Sequence, residues 1–435
     1  VKAARLLAGL LVVLAAGRVP AGAEPLLAGA ATVALPVPAG TPLAGYGAAA
    51  RRLPVPDLFG RHAHAFWFRP HQGRLDDPGV RALVLETPRT RLVWLAVDVV
   101  AVDRTFTARV ARALADAGLA PGRLLVSASH THSGPGAFLD AGLLFGLLAV
   151  DRLDAEVHQA VVDALVEAVR QAERHKRPAR LGSGTVAGPA LTVGRLDDPV
   201  DRSLTVLKVL TADGQPLGVV WNYAIHGTML GPRNLRLSGD VMGLAARQIE
   251  RALGVPALFV NGAVGDVSPV RHGIAEAQAA ARTLADSVVG AWRAIAAGPG
   301  ATLAVRTARV ELGRPRLSLR GCLGGWVPSG FVLPLDGLLP ADAELIAVGI
   351  GDTAWVTVPG ELQSALGEAI KDSARPSWRR VFVVGLTNDY LGYFLTPAAA
   401  AGSSYVACAN LYGPEAGRRL ARAAADALRA LAAER

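Results

Sequence analysis

The run Ser129-His130-Thr131-His132-Ser133-Gly134-Pro135-Gly136 follows the apolar stretch Leu124-Leu125-Val126 almost directly. In an extended chain residues i and i+2 point to the same side, so a strand ending here presents His130 and His132 together. Two imidazoles on one face can share a metal ion, or one can bind metal while the other moves protons. The glycines and the proline turn the chain sharply and let backbone approach a ligand. The plainer alternative for this pair alone is a polar strand end with two solvated histidines.

Four further groups stand at expected strand ends, where open α/β sheets place their sites. His226 closes a run that begins at Leu217, just before Gly227. The segment Asn261-Gly262-Ala263-Val264-Gly265-Asp266-Val267-Ser268-Pro269 follows apolar residues 256–260 and sets Ser268 on a tight turn. Glu361, in Val358-Pro359-Gly360-Glu361, is expected to open a helix, where the dipole suits a carboxylate. Asn388-Asp389-Tyr390-Leu391-Gly392-Tyr393 follows a strand-like run, and Tyr405 lies beyond it. Each group alone has an ordinary structural explanation. Together, two or three histidines, a glutamate and a tyrosine describe a catalytic zinc site with a position open for water. His132, Arg195, Ser268 and Tyr405 are then spare groups for proton transfer and oxyanion stabilisation.

The elements that carry these groups alternate. Helices are expected near 104–118, 153–174, 239–254, 273–297, 361–372 and 414–434, with strand-like runs between them. Hairpin-like pairs such as 343–349 and 352–358 also occur, joined by the turn signal Gly351-Asp352. The expected fold class is mixed α/β, with central mixed β-sheets flanked by helices in one catalytic domain. Neither a repeat nor a linker marks a second domain.

The N-terminus reads as a signal peptide over 1–23: Lys2 and Arg5, an apolar run 6–16, and the small-residue site Ala21-Gly22-Ala23. The expected domain is therefore 24–435, exported to the periplasm or medium, with the membrane surface as a further location. An uncleaved anchor is the alternative. The chain has 435 residues, 51% of them hydrophobic, and a formal charge of +9 carried almost wholly by arginine. No basic run with interleaved aromatics points to nucleic acid. Cys322 and Cys408 are either a disulfide of an exported protein or two buried thiols. Residues 138–150, which include Leu143, Leu144, Phe145, Leu147 and Leu148, are largely apolar and follow the histidine loop. They either line an acyl pocket and make peripheral membrane contact, or form a buried helix. His62 and His64 form a second pair, read as a surface loop.

Taken in order, these motifs resemble the neutral (non-lysosomal) ceramidase family from about residue 30 to the C-terminus. Gly45-Tyr46-Gly47, Asp77-Pro78, Ser129 to Gly136, Ser238-Gly239-Asp240, Gly265 to Pro269, Pro359-Gly360-Glu361 and Gly392-Tyr393 carry the resemblance. It implies zinc-dependent hydrolysis of the amide of ceramide or a related N-acyl lipid, giving a sphingoid base and a fatty acid. It further implies one zinc ion per chain on His130, His226, Glu361 and Tyr393. His132 matches the proton-transfer or oxyanion residue, Tyr405 the second active-site tyrosine and Arg195 the site arginine. Ser268 matches a serine that is either nucleophile or binder of headgroup hydroxyls. The second role is favoured, because metal-activated water needs no serine nucleophile. Ala137, Leu196 and Val270 depart from the family pattern, and the chain leaves no room for the family's C-terminal immunoglobulin-like domain. The competing readings are a metal-independent serine hydrolase using Ser268 with His132 or His272, and a catalytically weak lipid-binding protein.

Overall fold

A computed structural model describes residues 24–120, 122–140, 142–196, 198–299 and 301–434. The expected leader at 1–23 lies outside the described residues. Among them, the larger sheet has nine strands. Its main path runs Arg123–Ala128, Arg91–Val97, Gly79–Glu86, Leu27–Ala34, Arg177–Ala187, Ser203–Thr211, Pro216–Tyr223, Ala257–Asn261. The outermost pair at each end is parallel and the inner pairs are antiparallel. Leu27–Ala34 meets Arg177–Ala187 only at Leu27↔Pro178 and Ala28↔Arg177, which divides the sheet into two limbs.

A second sheet orders Leu303–Glu311, Asp342–Ile350, Thr353–Thr357 and Arg380–Val384. Its inner face meets those of both limbs in one core. Leu83, Trp94 and Leu125 come from the first limb, Val209, Val220 and Leu258 from the other, and Val348, Trp355 and Phe382 from the second sheet. Trp94 stacks on Trp355 with ring centroids 4.9 Å apart, an arrangement worth about 1 kcal/mol beyond area burial. Helices cover each outer face in pairs: Arg104–Asp116 with Ala155–Arg174, Asp240–Leu253 with Ile274–Ala294, and Ser364–Ala374 with Ala416–Ala433. Strands buried on both faces read as near-continuous apolar runs. In Gly79–Glu86, Val80, Ala82 and Val84 face the helices while Leu83 and Leu85 face the inner core.

The mixed α/β architecture expected from the sequence is the one observed. Among the longer strands, Arg177–Ala187 goes unexpected, because its arginines, glycines and serine resemble a loop. Close packing explains a glycine there: a Cβ on Gly182 would lie 2.2 Å from the Ala296 carbonyl oxygen. The expectation that Glu361 opens a helix is corrected. Glu361–Leu362 is a short strand parallel to Tyr393–Phe394, and the helix starts at Ser364. The backbone N–H of Glu361 donates to Gly392 instead, so the ladder prevails over helix initiation. Cys322 and Cys408 form a disulfide, 86 residues apart in sequence.

Candidate metal centre and its cavity

His130 leaves the end of Arg123–Ala128 with φ 70°, in the left-handed region. A non-glycine residue stays there only when its surroundings over-determine it. Here the Ser129 and His130 N–H groups donate to Val97 and Val99, and His132 N–H donates to Gly227. Nδ1 of His130 lies 2.6 Å from the Val100 carbonyl oxygen. A carbonyl only accepts, so Nδ1 carries a proton and Nε2 is the ring nitrogen available to an ion. Nε2 faces His226 Nε2 at 3.1 Å and Glu361 Oε1 at 3.3 Å.

His226 follows Pro216–Tyr223, on the other limb. Buried Asn261 ties the two histidine loops together. Its side-chain amide donates to the Ser129 and Ile225 carbonyls at 3.2 and 2.9 Å, and its oxygen accepts from Ile225 N–H at 3.2 Å. Glu361 and Tyr393 sit directly opposite each other in the short parallel ladder. Tyr390 donates from its hydroxyl to Glu361 Oε1 at 2.8 Å. His226 Nδ1 lies 3.7 Å from Glu361 Oε2.

These groups are buried, and burial sets their protonation. Desolvation, followed by Arg195 and neighbouring imidazoles, pushes His226 well below the usual imidazole range. His132 is pushed down by desolvation, then by His130 and Arg195. Desolvation works to raise the Glu361 carboxyl, but His130 and Arg195 hold it below its ordinary value. Desolvation and then the Glu361 charge push the Tyr393 hydroxyl well above its usual value.

His226 and His132 are thus pushed toward the neutral form, and the Glu361 carboxylate is held ionised beside them. Tetrahedral ligands at 2.0–2.1 Å from a zinc ion lie about 3.3 Å from one another, close to the 3.1 and 3.3 Å separations here. His226 Nδ1, Glu361 Oε2 and both ring nitrogens of His132 are buried without a hydrogen-bond partner of normal geometry. His130, His132 and His226 place one nitrogen each within 4.8 Å of one another. The donor set fits a metal ion, with His130, His226 and Glu361 at its centre.

A cavity of about 460 Å³ opens over these groups. Gly45, Tyr46 and His132 line one part of it, and Arg195, Leu196 and Tyr405 another. A Cβ on Gly45, at φ +98°, would lie 2.6 Å from the His132 ring. Tyr46 packs on that ring with centroids 4.8 Å apart. Arg195 and Ser268 come together because Val193 and Ser268 are register partners in the pairing of Thr192–Gly194 with Val267–Pro269. Nε of Arg195 donates to Ser268 Oγ at 2.7 Å, and a second guanidinium nitrogen reaches Tyr393 Oη at 3.4 Å. Tyr405 is 72% exposed at the rim, its ring 6.0 Å from that of Tyr393.

All eight residues singled out in the sequence therefore surround one cavity or its floor. Asn261 and Tyr390 were visible only as parts of motifs. The signal for Tyr390 was its place three residues before Tyr393, while Asn261 carried no signal beyond closing a strand. Of the run 138–150, Phe138, Leu139 and Val150 are buried in core clusters, Leu148 is exposed, and none of the described residues lines the cavity. His64 pairs with Asp154 at 3.2 Å and stands apart from the centre. No described helix is long and apolar enough to cross a membrane.

The family profile described as neutral/alkaline non-lysosomal ceramidase, N-terminal, matches residues 79–311. A neutral ceramidase of Pseudomonas aeruginosa is 27% identical over 163 residues, which are 34% of this chain and 24% of that protein. The neutral ceramidase of Mycobacterium tuberculosis is 30% identical over 169 residues, 33% of this chain and 26% of that protein. The matched stretches are thus about a quarter of these relatives' length. The crystal structure of the Pseudomonas aeruginosa neutral ceramidase superposes with a TM-score of 0.78 at 20% identity, covering 94% of this chain and 75% of that one. A ceramidase complexed with C2 gives 0.77 at 18% identity, covering 94% and 76%. The site and fold describe an α/β protein with a buried histidine–carboxylate centre, and this chain belongs to the neutral/alkaline non-lysosomal ceramidase family.

Proposed function

We propose that this chain is a zinc-dependent amidase that cleaves the amide of ceramide or a related N-acyl lipid to a fatty acid and a sphingoid base. The observation that carries the reading is the convergence of His130, His226 and Glu361 on one point beneath the cavity. Family membership and the names of the relatives support the substrate class. His130, His226, Glu361 and Tyr393 would hold the ion. Zinc held there supplies Lewis-acid polarisation of the amide carbonyl and activation of water at neutral pH.

The chain's own residues do the rest. His132, neutral and at the cavity wall, takes a proton from the attacking water and delivers one to the leaving nitrogen as the C–N bond breaks. The Arg195 guanidinium and the Tyr405 hydroxyl donate hydrogen bonds to the oxygen on which charge develops. Ser268 binds a headgroup hydroxyl. A serine hydrolase is disfavoured because the neighbour of Ser268 Oγ is a guanidinium, which cannot act as a base. Residues 1–23 as a cleaved leader, and export, complete the proposal.

The test is release of fatty acid from ceramide and other N-acyl lipids by protein as purified, after chelation, and after zinc is returned. Zinc-restored cleavage is expected. Turnover indifferent to chelation would overturn the metal, and turnover of none of these amides would overturn the reaction.

A further inference from the structure

We propose that Arg51 is a positioning residue, which from behind the cavity wall fixes the imidazole of His132; the inference rests on the amidase reading above. A histidine that moves protons is commonly oriented by a carbonyl or carboxylate on one ring nitrogen. Neither ring nitrogen of His132 has such a partner of normal geometry. Its orientation is left to packing. The Tyr46 ring lies 4.8 Å from its centroid, and the rings of His130 and His226 lie at 4.9 and 5.1 Å.

Arg51 stands behind this packing. Its guanidinium donates to the His132 carbonyl at 2.9 Å and to the Ala44 carbonyl at 3.4 Å. It also donates to the carbonyls of Pro232 at 3.1 Å and Gly231 at 3.5 Å. The guanidinium carbon is 5.0 Å from the centroid of the Tyr46 ring, within cation–π reach. The Tyr46 hydroxyl in turn donates to the Thr228 carbonyl at 3.4 Å. One side chain thus grips the backbone of His132, the ring that packs on it, and the stretch after Thr228. Arg52 holds the same loop from its other side, donating to Gly47 at 2.9 Å and Leu147 at 2.7 Å.

Charge balance separates Arg51 from an ordinary buried arginine. Among the described residues Arg51 and Arg81 are the buried ones. Arg81 pairs with Asp98 at 3.1 Å and Glu250 at 2.7 Å. Among the described residues no carboxylate lies within ion-pair distance of Arg51, and Asp240 attracts it only at longer range. Burial pulls its pKa down to about 10, so it stays a cation at neutral pH. A buried charge is costly unless its donors are satisfied, and here carbonyls of three segments satisfy them. A planar fork of five donors can reach all three at once, whereas the compact ammonium of lysine cannot. Release of this grip frees the His132 ring, and a misplacement of 1 Å costs about a hundredfold in rate.

Steady-state kinetics of the full, zinc-loaded chain on a water-soluble N-acyl substrate test this. Arg51→Ala and Arg51→Lys should each lower kcat about a hundredfold, with KM nearly unchanged and bound zinc retained. Millimolar guanidinium should restore part of the loss in Arg51→Ala, and ammonium should not. Tyr46→Leu keeps the arginine and removes the ring between it and His132. It should lower kcat in the same way, and it serves if the arginine variants fail to fold. NMR of the histidine-labelled chain gives a readout independent of turnover. The His132 ring resonance, assigned with His132→Gln, carries the ring-current shift of Tyr46. In Arg51→Lys it should move toward its position in Tyr46→Leu. Unchanged kcat, loss of turnover that only follows loss of zinc, or an unmoved His132 resonance would overturn the proposal. An unmodified chain that cleaves no N-acyl amide would instead overturn the amidase reading, and the resonance would still decide whether Arg51 places the ring.

Discussion

His130 and His226 face each other Nε2 to Nε2 at 3.1 Å although they come from opposite limbs of the sheet. Asn261 holds them there by donating to the carbonyls just before each histidine, Ser129 and Ile225. Asn261→Ala leaves both carbonyls buried and unpaired and frees both loops. It should weaken metal binding about 10- to 100-fold, as loss of an outer support does. His226→Ala removes a donor itself and should abolish both stoichiometric metal and amide cleavage. Metal content after gel filtration, read beside folding by circular dichroism, checks both. Full metal occupancy in His226→Ala would remove that residue from the site.

Tyr390 acts one step further out. Its hydroxyl holds Glu361 Oε1 at 2.8 Å and so orients the carboxylate. Tyr390→Phe should lower metal affinity about 10- to 100-fold with little change in stability. Titration with a competing chelator reads this directly. An unchanged dissociation constant would reduce Tyr390 to a packing residue.

Arg195 and Ser268 separate two mechanisms. Ser268→Ala should raise KM several-fold with kcat largely kept, because a headgroup contact is lost and not the nucleophile. Arg195→Lys loses the planar fork that reaches both Ser268 and Tyr393, and should cut kcat about a hundredfold. Steady-state kinetics on a soluble N-acyl substrate discriminate. Complete loss of turnover in Ser268→Ala with metal retained would restore the serine-nucleophile reading.

Asp240 gives a pH signature of stability. Burial, ahead of its backbone hydrogen bonds, pushes its carboxyl up to about 6 in the folded chain. Below about pH 4 both folded and unfolded chains hold the proton. Between there and pH 6 the unfolded chain ionises first, so this contribution is lost as pH rises through the folded value. Relative to the unmodified chain, Asp240→Asn should therefore gain about 3 kcal/mol across that interval. Denaturant midpoints at several pH values measure the difference. A constant offset between the two proteins would show that Asp240 does not titrate there.

Much of the centre was legible because the donors follow apolar strands, and strand ends are written locally in apolar runs followed by glycine. His226, Glu361 and Tyr393 stand beside such a glycine, and His130 lies four residues past Val126, where an apolar run ends. What remained hidden depends on pairing across the chain. Glu361 looked like a helix opener, since nothing nearby reveals that Gly392 will accept its N–H. Strand Arg177–Ala187 lacks an apolar face over most of its length, so periodicity had little to report. Residues 138–150 were legible as apolar, but whether each side chain of such a run is buried or exposed depends on what packs over it. Phe59 and Trp326 stand exposed in proline- and glycine-rich stretches, an exposure that only the folded chain reveals.

The division of the sheet into limbs joined by two residue pairs has a thermodynamic consequence. The donors at 130, 226 and 361 are separated by long stretches of chain and meet only when both limbs and the second sheet have closed on their common core. An ion captured there binds the closed state and not the open one. Its binding energy is added to the cohesion of the three walls, as mass action requires. Melting temperature would then depend on free metal concentration, and dissociation of the ion would be timed by the breathing of the walls rather than by any motion at the cavity mouth.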